Sequence, residues 1–124
     1  MLRIIFLTLV LTSSVVFAQT QENKEQKEIG KSYIFAELGK ANSVQVKKQF
    51  GELEKQLIKD FSSQGYIINY GTAKEIAKRE KQLLEFVRIC TIDSYRLTFV
   101  RGGNGSKLKT IFWIVPTGAT PPAP

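Results

Sequence analysis

The sequence predicts an α+β fold: a two-layer sandwich ordered β-α-β-α-β-β, with two helices packed on one face of a mixed four-stranded sheet. Three observations lead there. Residues 66–70, Tyr-Ile-Ile-Asn-Tyr, are aromatic and β-branched between Gly65 and Gly71, the composition of a short core strand. Thr72 stands three residues before Glu75 at the head of a helical apolar pattern, which is the spacing of a capping box. Residues 107–115 are apolar on both alternating sides, so this last strand is expected in the middle of the sheet.

The elements follow in order. Residues 1–18 read as a secretory signal peptide: Arg3 supplies the positive start, residues 4–11 the apolar stretch, and Val16-Phe17-Ala18 the small-residue cleavage site. The apolar run is too short and too interrupted by Thr12, Ser13 and Ser14 to cross a bilayer comfortably, so no stable membrane span is expected once the leader is cleaved. Residues 19–31 alternate Lys and Glu with almost nothing apolar, and are expected to form a polar, flexible lead-in. Residues 32–38 form the first strand, with Ile34, Ala36 and Leu38 on one side.

Asn42 or Ser43 caps the first helix, whose apolar stripe is Val46, Phe50, Leu53, Leu57, Ile58 and Phe61. Gly51 weakens it, and Gly65 is the expected left-handed stop. The second helix runs from Ala73 to about Ile89, with Ile76, Leu83, Leu84, Val87 and Cys90 as its stripe and Phe86 at the edge. After a turn at residues 91–94 comes a strand from Tyr95. The run Gly102-Gly103-Asn104-Gly105 is a turn signal, read as a hairpin into the last strand. Asn104-Gly105-Ser106 also matches a glycosylation sequon. Residues 116–124 hold all four prolines and are expected to be a disordered tail.

Composition narrows the chemistry. The chain has no histidine and a single cysteine, Cys90. Ser-His-Asp and Cys-His nucleophiles, His-ligated zinc, thiolate clusters and an internal disulfide are therefore excluded. No Gly-rich phosphate fingerprint precedes a helix. Glu75, Glu80 and Glu85 are the remaining candidates for acid–base work, but each neighbours Lys or Arg on a charged helix surface. No enzyme activity, catalytic residue, metal or cofactor is expected. The formal charge is +7, or +6 without Arg3, and the excess lies in residues 71–109, with nine basic and four acidic groups. That favours an anionic partner, such as a cell-wall polymer. Nucleic acid has only charge in its favour and conflicts with the leader.

One residue stands out. On a helical wheel at about 100° per residue, Arg79 lies only about 40° from the centre of the second helix's apolar stripe. An arginine there is costly unless it is paired or lines a wet groove. It either lays its stem over the core or serves a ligand.

Ile67-Ile68-Asn69-Tyr70-Gly71, Arg79-Glu80-Lys81-Gln82-Leu83, Phe86-Val87 and Thr91-Ile92-Asp93-Ser94-Tyr95-Arg96-Leu97, in this order of elements, resemble the OmpA C-terminal-like, peptidoglycan-associated domain. The resemblance covers residues 32–115. It implies a periplasmic or secreted protein that binds peptidoglycan or another anionic envelope polymer, with Arg79 and Thr72 of the preceding turn as ligand-binding residues. The chain departs from the family pattern at Lys74, where the family has an Asp, and in a shortened loop before Arg79. A scaffold that has lost wall binding and docks an envelope protein is thus the alternative expectation.

Overall fold

The computed structural model describes residues 30–104 and 107–124; the leader, most of the lead-in, and Gly105-Ser106 of the sequon lie outside them. Four strands and two helices alternate as expected: β1 (Tyr33–Leu38), α1 (Ser43–Lys59), β2 (Gln64–Gly71), α2 (Ala73–Ile89), β3 (Leu97–Asn104) and β4 (Lys109–Val115). The sheet is mixed, in the order β1-β4-β2-β3. β4 pairs antiparallel with both β1 and β2, and β2 pairs parallel with β3.

Both helices begin on a capping box. The Asn42 side-chain Oδ1 accepts from the Gln45 backbone amide at 2.9 Å, and the Gln45 side-chain Oε1 accepts from the Asn42 backbone amide at 3.1 Å. Thr72 and Glu75 do the same for α2. Gly71, the last residue of β2, takes φ 139°, a left-handed value open to glycine, and this turns the strand directly into the cap.

Ile67 pairs with Phe112 and Gly65 with Ile114, so these side chains share one sheet face. Against that face pack Val46, Phe50, Leu53 and Leu57 of α1 and Leu83 of α2, forming one core with Leu97. The two helices therefore cover the same side. The opposite side carries Tyr66, Ile68, Tyr70, Ile111, Trp113 and Val115.

Five details correct the sequence reading. β3 and β4 do not form a hairpin: β3 runs on through Gly102, Gly103 and Asn104, and β4 then passes to the far side of β2. The two glycines fall at an irregularity of the β2–β3 ladder, between the pairs Asn69–Arg101 and Gly71–Asn104, and the Tyr70 ring lies where a Cβ on Gly102 would be. Gly65 is not a left-handed helix stop but a buried strand residue; a Cβ there would sit 3.0 Å from Leu97 and 3.1 Å from Leu57. A bulge between Ile34 and Ala36 breaks the alternation of β1. Ala36 and Leu38 reach the core, with Phe35 packed beside them, while Ile34 faces out. α1 ends at Lys59, which leaves Phe61 in a turn, 83% exposed, and Ile58 is exposed too. Lastly, Leu84 lies off the stripe of α2 at 51% exposure, and Arg79 takes a buried place between Ile76 and Leu83. The tail beyond β4 is tied back: Thr117 Oγ1 donates to the Ser62 carbonyl, and Ser32 Oγ to the Thr120 carbonyl.

A second buried arginine closes the opposite end of the helical layer. Arg96 ends a single 3-10 turn (Ser94–Arg96) and donates through Nη2 to the carbonyls of Leu57, Asp60 and Ser63. These carbonyls lie at and just beyond the end of α1, where backbone acceptors lose their helical partners and a cation is favoured.

Candidate functional site

The site is assembled where β2 turns into α2. Thr72 fixes the first turn of the helix, and two turns on, Arg79 points into the layer between helix and sheet. It is 1% exposed. Nη1 donates to Thr110 Oγ1 at 2.8 Å and Nη2 to the Gly39 carbonyl at 3.0 Å. Thr110 then donates to Asn69 Oδ1 at 2.6 Å. Asn69 and Thr110 are directly opposed on β2 and β4, which lets a single arginine close a polar chain across the two central strands.

The chain is under-satisfied. Among the described residues, Arg79 Nε and Asn69 Nδ2 are buried without a hydrogen-bond partner, and no carboxylate forms a salt bridge with Arg79. Burial lowers the Arg79 pKa from its ordinary value, the direction expected when a cation is desolvated without a counter-charge.

Arg79 also lines a groove of about 230 Å³ with Lys40, Ala41, Glu75, Lys78, Gln82 and Leu108. The loop after β1, the first turns of α2 and the start of β4 thus meet at one place. Among the described residues Glu75 is its only acid. Its carboxylate accepts from the Thr72 amide at 3.1 Å and the Thr72 hydroxyl at 3.0 Å, and these bonds hold its pKa below the ordinary value, with Lys40 adding to the effect. Thr72 does not line the groove; it reaches it only through Glu75. Lys74 is exposed and lies outside it. Two larger grooves, one between β1 and α1 and one between α2 and β3, are lined by no buried polar group among the described residues. Among the described residues no group of three or more His, Cys, Asp or Glu stands close enough to hold a metal, and no helix is long and apolar enough to cross a membrane.

Sequence reasoning found Arg79 and the capping box. It missed Asn69, Thr110 and Arg96 as polar members of the interior. Asn69 carried a signal, being the one amide in the otherwise aromatic and β-branched run of residues 66–70.

The architecture is that of an α+β two-layer domain with a cationic groove at the carboxyl end of β2. No family model matches the chain, and no curated protein or solved structure matches it.

Proposed function

We propose that this chain is an exported, non-catalytic domain that binds an anionic polymer of the cell envelope, peptidoglycan or another, in the groove beside Arg79. The observation that carries this reading is the charge of the groove. A guanidinium buried without a carboxylate costs several kcal/mol in desolvation, about what an incoming anion would offset. Lys40 and Lys78 line the same groove. The leader supports export into a periplasm or beyond the cell, and the resemblance to peptidoglycan-associated domains supports the wall as the partner.

The test is co-sedimentation of residues 19–124 with purified sacculi. The protein is expected in the pellet, and a Lys40→Gln, Lys78→Gln double variant is expected to lose most of it. A Lys55→Gln, Lys59→Gln variant controls for equal loss of charge away from the groove. No pelleting above that of an unrelated basic protein removes the reading.

A second reading is favoured by a different observation. Phe61 and Tyr95 are 83% and 74% exposed, each adjacent in sequence to a residue of the Arg96–Asp60 contact. Two aromatic side chains held outward by a rigid turn suit docking to an envelope protein. Cross-linking in the native envelope would then recover one protein partner, and recovery of glycan alone would count against it.

A further inference from the structure

We infer that the groove beside Arg79 takes a phosphomonoester, terminal on an envelope polymer or on a lipid headgroup, in preference to a carboxylate. The inference rests on the anion-binding reading above and narrows it.

The argument is a count of charge and of unused donors. Lys40, Lys78 and Arg79 line the groove against one acid, Glu75. Glu75 is already engaged: its Oε1 accepts from both the amide and the hydroxyl of Thr72. Its lowered pKa keeps it ionised at neutral pH, so the groove keeps two surplus positive charges. A carboxylate brings one negative charge and two acceptor oxygens, and would leave one cation unanswered. A phosphomonoester brings a charge of about −1.5 to −2 and three acceptor oxygens. Lysine suits such a group as a point charge, and arginine adds directional donors.

Arg79 still has donors to give. It has five N–H groups, of which one bonds Thr110 and one Gly39. Nε lacks a partner among the described residues. The guanidinium is anchored at one end by β4 and the loop after β1, so it is preorganised and gives up little side-chain freedom on binding. Ala41 and Leu108 supply apolar wall for the carbon chain of an ester, and Gln82 a neutral donor.

The experiment is a titration of isotope-labelled residues 19–124 with inorganic phosphate, glycerol 3-phosphate and acetate, at neutral pH and constant ionic strength. Backbone amide shifts are followed. Saturable shifts are expected at residues 39–41, 75–82 and 108–110, with both phosphates binding at least about tenfold more tightly than acetate. Lys40→Gln and Lys78→Gln should each weaken phosphate binding several-fold. Arg79→Lys should weaken it while keeping the dispersed spectrum of a folded chain.

Acetate binding as tightly as phosphate would overturn this inference and leave anion binding standing. No saturable shift with any anion would overturn both. Shifts indifferent to Lys40→Gln and Lys78→Gln would place the ion elsewhere and overturn the inference. A further arm separates the sources. Sedimentation with phosphatidic acid–phosphatidylcholine vesicles but not with pure phosphatidylcholine, lost in Lys78→Gln, supports a headgroup. Phosphate binding without vesicle binding supports a wall polymer.

Discussion

Arg96 and Leu57 are thirty-nine positions apart, and Arg96 Nη2 donates to the Leu57 carbonyl at 2.9 Å. The same guanidinium reaches Asp60 at 2.8 Å and Ser63 at 2.7 Å, so the start of β3 is fastened to the end of α1. Arg96→Met keeps the length of the side chain but orphans these buried carbonyls. It should cost about 2–4 kcal/mol in urea denaturation. Arg96→Lys should recover only part of this, since an ammonium cannot fork to separate carbonyls in one plane. A loss below about 0.5 kcal/mol for Arg96→Met, the range of ordinary surface changes, would show that the contact is incidental.

Gly51 offers the opposite sign. It lies inside α1 with open space where a Cβ would go. Gly51→Ala should stabilise the domain by about 0.5–1 kcal/mol, through helix propensity and a less free unfolded chain. A lowered thermal midpoint would contradict this.

Gly102 tests the packing of Tyr70. Its missing side chain makes room for the Tyr70 ring, over which Lys109 Nζ also stands at 5.1 Å from the centroid. Gly102→Ala should cost about 1–3 kcal/mol in the natural chain. In a Tyr70→Ala background the same change should cost much less, because the obstruction is gone. Equal costs in the two backgrounds would mean that the ring is not what Gly102 accommodates.

Acid should loosen both ends of the helical layer. The Ser63 hydroxyl, and after it the Ser62 hydroxyl, holds the Asp60 carboxyl below its ordinary 3.8. The Thr72 amide, then its hydroxyl, holds Glu75 below 4.5. Both are carboxylates lowered in the folded state. Their stabilisation is fully present above the ordinary values and is lost as pH falls through the lowered ones. Unfolding free energy should therefore be steady near neutrality and decline below about pH 4. Asp60→Asn should flatten that decline. An unchanged acid slope in this variant would exclude Asp60 as a contributor.

Cys90 should react slowly. Burial pushes its thiol pKa up, and its S–H donates to the carbonyls of Val87 and Ile92. A thiol reagent should label the folded chain far more slowly than the urea-unfolded one. Equal rates would place the sulfur in open solvent.

Much of this molecule is legible in its sequence, and what is not has physical causes. The Thr72–Glu75 capping box, a cap at Asn42 or Ser43 and the period of both helices are local signals; the box stands where Thr72 puts it, the cap falls on Asn42, and the stripes follow the Leu53–Leu57 and Ile76–Leu83 spacings. The central place of β4 was also readable, from a strand apolar on both sides. Strand partners were not: Gly102-Gly103 has the composition of a turn, yet β3 continues past it to pair Asn104 with Gly71, and the Tyr70 ring on the neighbouring strand takes the space beside Gly102. The bulge at Phe35 is likewise set by pairing with Phe112 and Trp113 rather than by β1 itself. At the groove, helical phase brings Arg79 inward, but phase says nothing of Gly39, Asn69 or Thr110, which lie thirty-one or forty positions away or are reached only through a neighbour.

β4 lies between β1 and β2 and provides β1 with its one partner in the sheet. Of these four strands it is also the last to leave the ribosome. Until residues 109–115 emerge, the earlier strands lack the middle of their ladder, and only the β2-α2-β3 unit can begin to assemble. A chain built in this order stays unfinished while it is being made. A version truncated before Lys109 should leave β1 without a partner and fail to form the four-stranded sheet, however intact its helices.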